Sequence, residues 1–191
     1  NALGDYTKTL FSNAELVETK KIISTYHELA TAGSLVTRKE MGSIAPGSYN
    51  FKSYNKNNKI DRVINFLSYA RGSSFLPLKI SFYMNVFESV FTTDMNELVH
   101  KIAERAALYV SGTREDKLNN YKLIKQAYEI RSKYFHGQQI GNNKDKLDRL
   151  KNLSIKVDEL LRSILKKIIL EDSTLFLSNN WNDYMDEIIF K

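Results

Sequence analysis

The stretch TREDKLNNYKLIKQAYEIRSKYFHG, Thr113–Gly137, reads as one long amphipathic helix. Thr113 followed three residues later by Asp116 has the form of a capping box, in which a hydroxyl and a carboxylate satisfy orphan amides at a helix start. Tyr121, Ile124, Tyr128 and Phe135 recur at helical spacing and define an inward line. Gly137 suits the position just past the last turn, where a left-handed residue closes a helix. Arg131 falls on the same inward line, an expensive place for a cation unless it is paired or faces a cleft.

The same periodicity recurs on both sides of this segment. Leu16, Ile23, Tyr26 and Ala30 mark a first helix with Asn13 as its expected N-cap, and Ile60, Val63, Ile64 and Leu67 mark a second, ending near Gly72. After Pro77 a third carries Ile80, Met84, Phe87 and Phe91 on one face. A fourth, capped by Asp94, carries Met95, Leu98, Ile102, Ala106 and Tyr109 up to Gly112. Thr113–Gly137 is the fifth. A sixth runs from about Lys144 to Leu170 through Leu150, Val157, Leu160, Ile164 and Ile168, and a short seventh follows Asn182 with Met185, Ile188 and Ile189. Connections are short, so neighbours are expected to be antiparallel. The fold class is all-α, an antiparallel bundle of about six to seven helices.

Residues 41–59 are the exception, a Gly/Ser/Asn-rich stretch in which Tyr49, Phe51 and Tyr54 alternate with Lys52, Lys56 and Lys59. Interleaved aromatic and basic residues suit single-stranded nucleic acid, but a surface loop or small hairpin is the plainer expectation. The organisation expected is therefore an N-terminal helix and loop over 1–58 and a helical bundle over 59–191.

With 191 residues, 42% of them hydrophobic and 26% charged, the chain has the composition of a globular domain able to bury a core. The absence of cysteine excludes disulfides, thiolate metal sites and cysteine nucleophiles, and fits a cytoplasmic location. No apolar run reaches the ~20 residues of a membrane span, so no membrane association is expected. The chain opens Asn1-Ala2 rather than with methionine, which reads as part of a longer protein with additional domains.

Charge is unevenly spread. Between Arg114 and Lys167 lie fourteen Lys/Arg against seven Asp/Glu, more excess charge than the +6 of the whole chain. A basic segment points to an anionic partner, with nucleic acid ahead of others, although a solvated lysine face has the same pattern. Of the three histidines, His27 and His100 stand without a second ligand type at metal spacing. No HExxH, Gly-rich phosphate loop or Ser/His/Asp set is legible, and no metal or cofactor is expected.

His136 differs because Arg131 precedes it by five positions. On a helix the two lie roughly 140° apart and about 7.5 Å along the axis, whereas Ser132 and His136 share a face. One helix converges Arg131 and His136 imperfectly; a symmetric dimer would bring two such pairs around one groove. Glu88 and Arg105 read as a buried ion pair between the third and fourth helices.

The string Tyr128-Glu129-Ile130-Arg131-Ser132-Lys133-Tyr134-Phe135-His136-Gly137 resembles the R-x4–6-H signature of the HEPN superfamily, and most of all its Apea-like branch. Met84–Phe91 and Glu104–Leu108 resemble two upstream helices of that branch, so the likeness runs from about Ile60 to Leu170. The resemblance implies a helical bundle that dimerises through the Arg131–His136 helix. It also implies a metal-independent endoribonuclease of toxin–antitoxin, CRISPR or antiphage systems, with RNA as substrate and an antitoxin as a further partner. In that chemistry a 2′-hydroxyl attacks the phosphate. His136 would be the general acid/base, since an imidazole can both accept and donate a proton. Arg131 would hold the phosphate and its added transition-state charge. Ser132 and Lys133 would be substrate contacts. In HEPN nucleases Asn, Asp or His often follows the arginine; Ser132 departs from that, keeping a hydroxyl to bond phosphate or orient His136. The alternative is a non-catalytic module of the same kind that binds RNA or a nucleotide, or only dimerises.

Overall fold

In the computed structural model of the chain, the residues described are 10–33, 59–92, 98–110, 112–140 and 144–190. Among them the chain forms α1 (Asn13–Gly33), α2 (Lys59–Gly72), α3 (Leu76–Phe91), α4 (Leu98–Tyr109), α5 (Arg114–Phe135), α6 (Lys144–Leu170), α7 (Ser173–Leu177) and α8 (Asn180–Glu187). A 3-10 turn, Ile188–Phe190, follows, and there is no strand among the described residues. The fold is an all-α helical bundle. Asp94, Met95 and the aromatic and lysine residues of 41–58 lie outside the described residues, as does the side chain of Ala30.

Helix α3 is the spine. Pro77 near its start supplies the fixed φ a first turn wants, and eleven of its sixteen residues, from Leu76 to Phe91, are buried. A helix buried all round must be covered on every side, and α2, α4, α5 and α6 all pack on it. Ile80, Met84, Phe87 and Phe91, the expected face, are fully buried, and so are Tyr83 and Val86 on other faces.

Two charged groups buried against this spine, Asp158 and Arg105, are paired. Asp158 on α6 is 2% exposed; it accepts from the Tyr83 hydroxyl at 3.0 Å and from Arg162 Nε at 2.6 Å, with Arg71 at 3.8 Å. Burial, reinforced by Asp158, pushes the Tyr83 phenol well above its ordinary range. Arg105 on α4 donates to the Phe91 carbonyl at 2.8 Å and pairs with Asp186 on α8. The Phe91 carbonyl belongs to the last turn of α3 and has no partner within the helix. This corrects the expected Glu88–Arg105 pair: Arg105 points to the end of α3, whereas Glu88 faces α5.

Several boundaries differ from expectation for local reasons. The cap of α1 is Ser12 rather than Asn13: its hydroxyl accepts from the Glu15 amide at 3.2 Å while Glu15 accepts from the Ser12 amide at 2.7 Å. The inward side of α1 is also turned. Ile22, Thr25 and Tyr26 are half-buried, but Leu16 and Ile23 are 51% and 58% exposed. Helix α1 lies against α6, where Lys166 and Glu18 pair at 2.7 Å, and this amphiphilic edge takes the place of a core face. Helix α7 was not legible, and α8 begins at Asn180, two residues before Asn182.

Helix α5 starts as its sequence dictates. The Thr113 hydroxyl accepts from the Asp116 amide at 3.2 Å, and Asp116 accepts from the Thr113 amide at 2.9 Å. It ends in a Schellman motif: Gln138 donates to the Lys133 carbonyl at 2.8 Å and Gly137 to that of Tyr134 at 3.2 Å. Gly137 has φ +66°, and nothing within 4 Å would meet an added Cβ. The whole effect of Gly137→Ala is then backbone strain, expected to cost about 1 kcal/mol. Denaturant unfolding measures it; a variant as stable as wild type would show that the left-handed turn is not held.

Candidate functional site

The fifth helix turns its last two turns toward two surfaces. Ile124 and Ala127 are its only fully buried residues, and burial fades toward the C-terminus until Phe135, placed inward from its spacing, is 60% exposed. This corrects the inward line: it holds at Ile124, half holds at Tyr121 and Tyr128, and fails at Phe135. The exposed end of the line becomes the wall of a notch of about 240 Å³, lined by Tyr128, Arg131, Ser132, Phe135 and His136. These positions follow i, i+3, i+4, i+7 and i+8, one face of a helix.

Arg131 is held from three sides. One terminal nitrogen donates to the Tyr128 hydroxyl at 3.0 Å, and the other donates to Glu88 at 3.2 Å. The guanidinium carbon lies 5.1 Å from the Tyr128 ring centre and 5.6 Å from that of Phe135, within cation–π range. Its side chain keeps 24% of its surface exposed, and Nε is buried without a hydrogen-bond partner among the described residues. With five N–H donors in a fixed fork, the group retains donors for an anion after binding Glu88 and Tyr128.

Glu88 is the residue that spacing missed as Arg131's partner. An arginine on a buried line demands an acid, and Glu88 is the acid on the packed face of α3. Burial pushes the Glu88 carboxyl above the usual carboxylate range, against the pull of Arg131 and a hydrogen bond to Tyr128. Because its folded pKa is raised, the chain takes up a proton on folding between the unfolded and the folded pKa. The contribution of this group to stability is complete below the unfolded value of ~4.3 and is lost as pH rises through the raised folded value. The stability of wild type relative to Glu88→Gln should therefore decline from pH 4 to pH 7. Denaturant unfolding across that range checks it; an increase would mean that the pair with Arg131 outweighs burial.

His136 caps α5, its amide donating to the Ser132 carbonyl at 3.0 Å. Its exposed side chain makes no hydrogen bond or ion pair among the described residues. Ser132 is half-buried between His136 and Arg131. Arg131, Ser132 and His136 thus share one notch, while Lys133 does not line it. Lys133 sits on the adjoining face of α5, paired with Glu129 at 2.5 Å, and lines a groove toward α6. Phe75 and Tyr134 continue the aromatic surface beside the notch, with ring centres 5.7 Å apart.

No family model, curated protein or solved structure matches this chain.

The other histidines belong elsewhere. His100 faces Tyr121, with Nδ1 3.1 Å from the hydroxyl, and ties α4 to α5. His27 is exposed on α1. Among the described residues no group of three His, Asp or Glu side chains is placed to share a metal ion, and no helix is long and apolar enough to cross a membrane.

Proposed function

We propose that this chain is a HEPN-type, metal-independent endoribonuclease domain of a prokaryotic defence or toxin system, acting as a homodimer through the end of α5. One observation carries the reading: a clamped guanidinium, a serine hydroxyl and an unengaged imidazole line the same notch. In the reaction the His136 imidazole accepts the proton of the ribose 2′-hydroxyl as the 2′-oxygen bonds to phosphorus. The bond from phosphorus to the 5′-oxygen breaks, and an imidazolium returns a proton to that oxygen. Arg131 neutralises the charge gathering on the non-bridging oxygens. A second copy of α5 would supply a second imidazole, so that base and acid are separate groups. The exposed Phe135 and Phe75, with the half-buried Tyr134 between them, support pairing of two copies there.

A second reading draws on Glu88. Its carboxylate already compensates Arg131, which suits a module that binds RNA or a nucleotide, or dimerises, without turnover. Incubating the chain with RNA in EDTA separates the two. Fragments ending in a 2′,3′-cyclic phosphate and beginning with a 5′-hydroxyl are the expected products; intact RNA retained in a salt-dependent complex would select the second reading.

A further inference from the structure

A groove of about 1090 Å³ runs between α5 and α6, on a different face of α5 from the notch. Its residues extend from Asp116 to Lys133 on α5 and from Lys146 to Ser163 on α6, which at 1.5 Å per residue is roughly 25 Å. The floor is aliphatic: Leu123, Ile130 and Leu153 are half-buried, with Leu150 and Leu160 beneath them. The rim carries five basic side chains against three acidic ones. Two of those acids are spent within α5, Asp116 on the capping box and Glu129 on Lys133. Lys122, Arg149 and Lys156 are exposed and enter no ion pair among the described residues.

We infer that this groove docks an acidic amphipathic helix of a partner protein. Length, floor and charge each favour such an occupant. A span of roughly 25 Å matches between four and five helical turns. A helix laid in a groove buries an apolar stripe of i, i+3, i+4 and i+7 side chains, and the Leu123–Ile130–Leu153 floor offers aliphatic surface to receive it. Carboxylates flanking that stripe meet Lys122 on one wall and Arg149 and Lys156 on the other. Single-stranded RNA fits less well: no aromatic ring lines the groove to stack a base, and phosphates would leave the aliphatic floor wet. The inference stands independently of the notch chemistry, because the two surfaces share no residue.

The test is selection on the whole chain from a library of 18-residue helical peptides. Leucines are fixed along one stripe, and the flanking positions are randomised among Glu, Gln and Lys. Enrichment of Glu is expected, and the selected peptides should bind the Lys122→Glu/Arg149→Glu/Lys156→Glu chain at least about tenfold more weakly. All three positions are exposed, so circular dichroism should be unchanged. If the triple variant fails to fold, Lys122→Glu and Lys156→Glu taken singly carry the comparison from opposite walls. Absence of Glu enrichment, or binding that survives charge reversal, overturns the inference. So does oligouridylate binding that the same reversal abolishes while no peptide is selected, which would assign the groove to RNA.

Discussion

Replacing His136 with alanine is expected to slow RNA cleavage by about 10²–10⁴-fold, the range a positioned general acid/base contributes. Helix α5 loses little by the change, because the imidazole is exposed and holds no partner among the described residues. The fall should therefore appear in turnover while the unfolding midpoint stays put. Arginine needs a different substitution. Alanine at Arg131 would strand the half-buried Glu88 carboxylate and confuse chemistry with folding. Arg131→Lys keeps a cation for Glu88 but loses the planar fork that grips phosphate, and a loss of roughly 10²-fold or more is expected. Gel-resolved cleavage of labelled RNA in EDTA measures both. Cleavage at wild-type rate in both variants would remove the notch from the reaction.

Trp181→Ala should be the most damaging change to the fold, costing about 3–5 kcal/mol. The indole is fully buried, edge-on to Tyr109 and Phe176 with ring centres 5.6 and 5.0 Å away. Its Nε1 donates to the Val90 carbonyl at 2.8 Å, one of the last-turn carbonyls of α3 that the helix itself leaves free. Trp181 and Arg105 thus close the same end of the spine. For a chain of this size the melting temperature should fall by roughly 10 °C. Trp181→Phe keeps most of the packing but drops the hydrogen bond, and about 1–2 kcal/mol is expected. Chemical denaturation read by circular dichroism checks the pair. A loss below about 1 kcal/mol for Trp181→Ala would show that the C-terminal helices are dispensable to the core.

The helices were legible where periodicity is strong and buried. Ile80, Met84, Phe87 and Phe91 announce α3, and the Thr113–Asp116 box and Gly137 fix both ends of α5 from short-range chemistry alone. What escaped was tertiary. Nothing local tells Ile22 from Ile23 as the packed residue of α1, because the answer depends on where α6 lies. Phe135 has the right spacing for the core but outruns the helices that would cover it. Arg131 on a buried line needs a partner, yet an arginine and an acid on different helices carry no register in sequence, so sequence alone does not tell that Glu88 pairs with Arg131 and not with Arg105. Ser132 and His136 were expected to share a face and do; Lys133, one position away, falls on the next surface because each residue turns a helix by about 100°.

The clamp on Arg131 gives the two halves of the notch different dynamics. Arg131 is braced on α3 by Glu88 and by the rings on either side, so it moves only with the most deeply buried helix. His136 sits at the C-cap of α5, its backbone fixed but its exposed ring free to exchange rotamers on the picosecond-to-nanosecond scale. An anion entering the notch meets a stationary cation first and a searching imidazole second. Slow and fast motion are thereby divided between residues five apart, and ordering of the His136 ring becomes a signal that the notch is filled.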